Sequence, residues 1–367
     1  VKPPPSYYVD AYLQAPGEPE QNVSAYVDEL TLSLDVDRVT WKRATIDLKG
    51  VPKSLRALCD TTAPGVPLPG ISFNVFQRGR FGALTRVYPR PDYTSSNPGI
   101  EALYSSWYDA PLHEDTISLS LSSDETPLSD RRRLAATAVD TGATSVRGLV
   151  DYTSANSGMG ATIIDRMGAG AAAIPAGDRR LFQPGESYWD LFASELNAAG
   201  GRFYSGYVYW VLAARDDPPR DLSVTDLTLS THPAIPGVLV TRADENDSRE
   251  DDWCDAVICK FDYVNGSGTR VTAYQTAGPA VHSRAQQFEF DRAPSSANLA
   301  QQILTRASQR GRSYTLECQL DFAVRPGVNL TLARPDGSIT LGMCRSVDYR
   351  VYAGTMTVRT QTSQPLE

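Results

Sequence analysis

Few residues in this chain have the types and spacing that chemistry needs. It holds only three histidines, His113, His232 and His282. A nucleophilic serine requires a histidine base within hydrogen-bond reach, itself oriented by a carboxylate. No spacing around the three selects such a set, so each reads as structural or surface. The five cysteines, Cys59, Cys254, Cys259, Cys318 and Cys344, are odd in number and scattered, without a C-x-x-C pair. They suit neither a disulfide framework nor a zinc site and read as small, reduced, buried residues. Cys254 and Cys259 fall five apart in one expected strand, which would point them to opposite faces.

Three other stretches invite a chemical reading. Glu101 to Asp115 mixes carboxylates, Glu101 and Asp109 among them, with Tyr104, Trp107, Tyr108 and His113. Aromatics beside a carboxylate pair could stack a sugar and cleave its linkage. An aromatic protein interface accounts for the same composition. The acidic run Asp244-Glu245-Asn246-Asp247 with Glu250-Asp251-Asp252 offers oxygen ligands for calcium, yet lacks the glycine and terminal glutamate of an EF-hand. It reads as a solvated loop. Arg131-Arg132-Arg133 is the one basic triplet and reads as the solvated first turn of a helix. No phosphate loop, dinucleotide fingerprint, metalloprotease helix or nucleophile elbow occurs. The sequence therefore specifies no catalytic, cofactor-binding or metal-binding residues, and no cofactor.

Composition narrows the class further. The 367 residues carry a formal net charge of −8, with 41% hydrophobic and 21% charged residues. That length suggests more than one domain, and the apolar share is enough to build cores. An acidic balance argues against a dedicated nucleic-acid binder, which needs cations to neutralise phosphates. The longest apolar runs, Ala169 to Ile174 and Tyr207 to Ala214, are far shorter than the ~20 residues of a membrane span. The opening Val1-Lys2-Pro3-Pro4-Pro5 has no apolar leader core, so membrane insertion of this chain is not expected.

The positioning elements are mostly strands. Leu30 to Val36 alternates apolar and polar residues, as do Val39 to Leu48, Ile71 to Phe76 and Ile117 to Leu121. Glycine and proline clusters such as Ala63 to Gly70 separate them. The middle of the chain changes period. Ser129 is placed to cap a helix through Asp140, with Gly142 after it, and Ser145 to Tyr152 suits a second helix. Gly158 to Gly170 reads as a glycine-rich loop or poorly ordered lid. Ser187 to Ala199 is the strongest helix, with Trp189, Phe192 and Leu196 on one face. Tyr207 to Leu212 follows as a strand buried on both sides.

Strands return with Trp253 to Tyr263 and Thr269 to Tyr274 around the turn Asn265-Gly266-Ser267-Gly268. A helix over Ser296 to Arg310 interrupts them. Tyr314 to Phe322, Asn329 to Ala333, Ile339 to Met343, Val347 to Val351 and Thr355 to Thr360 finish the chain. The expected fold class is mostly β with α+β insertions. The division is a β unit at 1–118, a mixed helical and β unit at 119–235, and a second β unit at 236–367 broken by a helical insertion at about 280–315.

The order of these features resembles the tail-hub or minor tail proteins of actinobacteriophages, relatives of the hub fold of contractile-tail baseplates and type VI secretion spikes. Leu32 to Leu48 (LSLDVDRVTWKRATIDL) resembles the opening barrel strands, and Leu119 to Pro127 (LSLSSDETP) the exit from that barrel. Pro184 to Gly201 (PGESYWDLFASELNAAGG) is the most specific element, and Phe203 to Ala213 follows it as the family's buried strand would. Val324-Arg325-Pro326-Gly327-Val328, Gly342 to Val347 and Thr355 to Val358 resemble the closing barrel, although Val328 stands where an aspartate is often expected.

The resemblance implies two tube-like antiparallel β-barrels joined by smaller mixed domains, and a virion protein at the tail tip made in the host cytoplasm. It implies a homotrimer that adapts a sixfold tube to a threefold tip and takes part in delivery into the host cell. The partners it implies are distal tail and tail tube proteins, the tape measure protein, and tail fibre or spike proteins, with DNA only in transit. It implies no catalytic residues and no enzyme. A tip-associated glycan-binding or glycoside hydrolase module is the alternative.

Overall fold

The computed structural model describes residues 7–14, 18–38, 41–52, 54–55, 70–78, 84–88, 101–106, 116–123, 125–158, 162–167, 174, 181–205, 209–214, 227–247, 253–265, 267–294 and 297–361. The first strands are β1 (Tyr7–Gln14), β2 (Gln21–Asn22), β3 (Val27–Asp35), β4 (Lys42–Lys49), β5 (Gly70–Arg78), β6 (Leu84–Tyr88), β7 (Glu101–Ser106) and β8 (Thr116–Ser122). Alternation sets their inner faces. Leu30, Leu32 and Leu34 of β3, and Ala44, Ile46 and Leu48 of β4, are buried. Each buried leucine or isoleucine contributes roughly 1.5–3 kcal/mol. In β5 the polar Ser72 and Asn74 are buried as well as Ile71, Phe73 and Val75, so that strand is covered on both faces.

The mixed unit runs through α1 (Glu125–Asp130), β9 (Val139–Asp140), α2 (Val146–Asn156), β10 (Ile163–Asp165), β11 (Leu181–Phe182), α3 (Asp190–Ala198), β12 (Gly201–Ser205) and β13 (Trp210–Ala214). Ser145 caps α2 by accepting from the Gly148 N–H. Phe192 of α3 meets Phe203 edge-to-face, and Phe203 stacks on Trp210 at 4.9 Å between ring centroids. Those rings anchor a core of their own with Leu149, Leu191, Leu196 and Leu212.

Two expectations fail in this unit. The helix expected from Ser129 ends by Asp130, having begun at Glu125. Arg131 to Arg133 instead pair with the opposite segment: Arg133 N–H donates to Glu186 O, Gly185 N–H to Arg133 O, and Tyr188 N–H to Arg131 O. These long-range main-chain bonds win over the local helical spacing. The glycine-rich stretch also contains a strand, since Ile163 to Asp165 pair in parallel with Trp210 to Leu212.

The last part holds β14 (Leu227–Ser230), β15 (Val238–Asp247), β16 (Ala256–Val264), β17 (Arg270–Ala277), β18 (Ala285–Phe290), α4 (Leu299–Gln309), β19 (Arg312–Gln319), β20 (Asn329–Arg334), β21 (Gly337–Arg350) and β22 (Thr355–Gln361). Strands β21, β20, β14, β15, β19 and β22 pair in that order, and β22 returns to β21, closing a six-strand barrel. The fold is mostly β, as its sequence indicates. Within the barrel, β14 runs parallel to both β15 and β20, where antiparallel strands alone were expected. Strands β16 to β18 form a separate sheet with α4 against it, leaving the barrel after β15 and returning at β19.

Strand β21 joins the two β regions. Ile339 to Met343 and Val347 to Val351, expected as two strands, belong to this one strand, which bulges between Cys344 and Ser346. Its first half pairs with β20, and Ser346 to Arg350 pair with Asp35 to Thr31 of β3. The sheet continues from there through β4, β8, β7, β5 and β1, 14 strands in all. One hydrophobic cluster runs beneath it, from Val9, Ile46 and Leu119 to Leu330, Val347 and Val358. Among the described pairings, the barrel is the one ring that closes.

Candidate functional site

The residues singled out for chemistry lie apart. His232 and His282 are exposed; His232 Nδ1 accepts from Ala234 N–H and holds a turn. His113, Cys59, Trp107 to Asp115, and Glu250 to Asp252 lie outside the described residues. Glu101 and Tyr104 sit in β7, paired with β5 and β8 respectively. Asp244 to Asp247 form the end of β15, paired with Thr315 to Arg312 of β19, so the expected loop is a strand. Cross-strand pairing supplies the order that a polar composition conceals. Among the described residues, no three His, Cys, Asp or Glu side chains gather as they would around a metal ion.

Cys254 precedes β16 rather than lying in it, and it shares one apolar cluster with Cys259. The turn before the strand removes the opposed orientation expected for the two. Burial pushes the Cys259 thiol up to about 11 and the Cys318 thiol up to about 12. Cys254, Cys259, Cys318 and Cys344 are all buried free thiols. A thiol must ionise to attack or bind a metal, and these are held away from it. The arginine triplet is structural: Arg131 donates to Ser157 O, Arg132 to Gly185 O at 2.8 Å, and the Arg133 guanidinium lies 5.6 Å from the Phe182 ring centroid.

Two joints between units, neither legible in the sequence, hold buried carboxyl groups. At the first, Glu125 opens α1 wholly buried, and its Oε1 accepts from Ser205 N–H of β12 at 2.5 Å. Trp41 Nε1–H donates to Ser205 O at 3.0 Å, and its ring meets Tyr204 edge-on. Burial raises the Glu125 carboxyl above its usual range, against smaller opposing pulls from Ser123, Ser205 N–H and Lys42. At the second joint, Glu195 of α3 pairs with Arg292, just after β18; both side chains are 3% exposed. The Glu195 joint ties the mixed unit to the β16–β18 insertion.

Two depressions open on the surface. A groove of about 810 Å³ runs between Tyr7 and Gln77 on one side and Leu227, Val238, Leu320 and Phe322 on the other. A smaller one of about 310 Å³ lies between Asn197, Phe288, Phe290, Ile303 and Arg306. No helix among the described residues is long and apolar enough to cross a membrane. The arrangement is a set of packed joints and strand surfaces, with its described thiols buried and its described histidines on the surface.

No family model and no curated protein sequence matches the chain. Solved structures match its fold over nearly its whole length. A tail protein from Neisseria meningitidis superposes with a TM-score of 0.57 at 11% identity, covering 97% of each chain. A 43 kDa tail protein of prophage MuSo2 from Shewanella oneidensis gives 0.54 at 13% identity, covering 96% of this chain and 98% of its own. A prophage tail protein from Listeria monocytogenes gives 0.55 at 9% identity, covering 96% of this chain and 94% of its own. The chain has the fold of phage tail proteins.

Proposed function

We propose that this chain is a structural subunit at the tip of a phage tail, a hub built from three copies. The observation that carries the reading is the whole-length fold match to tail proteins, which takes in the barrel, the mixed unit and the β16–β18 insertion together. In this reading the barrel and the β1–β8 sheet, fused through β21, stand for two neighbouring subunits of a sixfold tube. Three copies then close the circle under cyclic symmetry. Their contacts are permanent, each burying roughly 2,000 Å² or more. The hub ends the tube, receives distal tail and tube proteins, holds the tape measure protein and anchors fibres or spikes. Its net charge of −8 per chain suits a wall past which DNA phosphates slide rather than bind.

The chain works without catalysis and without a cofactor, and its units divide as the sequence suggests, at 1–118, 119–235 and 236–367. The mass of the purified chain in solution tests the assembly. Three chains of 40.0 kDa give about 120 kDa, three times the single-chain mass, and that is the value expected. A single-chain mass that persists at high protein concentration contradicts it.

A further inference from the structure

The Glu125 joint holds a cluster of polar groups whose chemistry is unspent. Glu125 is fully buried where β8 gives way to α1, and β12 covers it. Its Oε1 takes the Ser205 N–H, while its Oε2 has no hydrogen-bond partner among the described atoms. The hydroxyls of Ser122, Thr126 and Ser205 are buried and unpartnered in the same way, and that of Ser123 lies near enough to favour the charged form of Glu125. All five atoms belong to segments that meet at this joint: Ser123 N–H donates to Lys42 O, Thr126 N–H to Ser123 O, and Ser205 N–H to Glu125.

The charges facing the carboxyl are few. From β4 comes Lys42, itself buried and lying over the Trp41 ring at 5.0 Å. β12 also carries Arg202, whose guanidinium lies against the Tyr204 ring, 5.3 Å from its centroid. Lys42 favours the charged form of Glu125, but its pull is smaller than the opposing effect of burial. A buried carboxylate is costly to keep charged, whereas the neutral acid becomes a hydrogen-bond donor. Its O–H can then serve the Ser123 hydroxyl oxygen, which lies near enough to act on the carboxyl.

We propose that this joint is a proton-controlled latch, closed while Glu125 carries its proton and loosened when the proton is lost, so that the β3–β4–β8 sheet and the mixed unit can part without either unfolding. The sign follows from linkage. The buried carboxyl holds its proton more tightly than the ordinary value of 4.5, so its contribution is fully present below that value and is lost as pH rises through the folded one. That sign favours a tight joint in acid and a looser one as pH rises.

Melting of the intact chain and of Glu125→Gln across about pH 5 to about pH 8 tests the latch, since an amide mimics the neutral acid at every pH. The expected result is a wild-type melting temperature that falls by several degrees relative to the variant as pH rises, with the variant the more stable near neutrality. Hydrogen exchange on the wild type alone should show the Ser205 amide losing protection with pH beyond the intrinsic rate, while amides of β3 keep theirs. Parallel pH profiles for the two proteins overturn the proposal. A variant that is less stable throughout, with wild-type stability falling toward acid, also overturns it, because Glu125 would then act as an anion. So does a Ser205 amide whose protection is independent of pH.

Discussion

Two buried glutamates tie this molecule together, and they are matched in opposite ways. Glu195 meets a guanidinium, and the pair joins the mixed unit to the β16–β18 insertion with both partners 3% exposed. Glu125 meets the Ser205 main-chain N–H, and burial raises its carboxyl against the smaller pull of Lys42. A matched buried pair is indifferent to moderate pH but intolerant of losing one member. An unmatched carboxyl tolerates its own neutralisation and responds to protons. The insertion is therefore fixed where the β3–β4–β8 sheet is adjustable.

The largest effect that would break this comparison is loss of Arg292. Arg292→Ala leaves Glu195 buried and alone, and should cost about 3–5 kcal/mol in denaturant unfolding. Replacing both members by apolar residues, Glu195→Leu with Arg292→Met, should restore most of that loss. If the single variant unfolds like wild type, the pair is not the tie described here. A smaller cost belongs to the barrel closure. Gly237 has φ +143°, and a Cβ there would lie 2.6 Å from the Thr228 carbonyl oxygen, a main-chain atom that cannot swing aside. Gly237→Ala should cost about 1–3 kcal/mol and loosen the parallel pairing of β14 with β15, read by amide exchange at Leu229 and Leu239. The smallest is the surface pair Arg242–Asp244, with side chains 63% and 54% exposed. Asp244→Ala should change stability by no more than about 0.5 kcal/mol, the mark of an ion pair that water already screens.

What the sequence displayed of this fold follows from where burial is one-sided. β3 and β4 alternate cleanly because one face meets the core, and α3 shows its apolar face for the same reason. The hairpin at Asn265 was legible because its side chain accepts from the Ser267 and Thr269 N–H groups and Gly268 takes φ +79°. Signals failed where distant chain decided the outcome. Arg131 to Arg133 are straightened by Gly185 to Tyr188, and four-residue β14 has no pattern long enough to read. The joints were the least legible. Glu195 and Arg292 stand 97 positions apart, and nothing local to either marks a partner. Glu125 carried one faint signal, an acid and a proline two residues on where a strand gives way to a helix.

Above these joints stands the claim that the chain ends a tail tube as a ring of three. Imaging of intact particles that carry the chain, at a resolution that separates subunits, tests it most directly. The account predicts three copies at the tail tip, each placing the six-strand barrel and the β1–β8 sheet side by side around the channel as two of six near-equivalent positions. Six copies, a single copy, or a tip without this chain would contradict it.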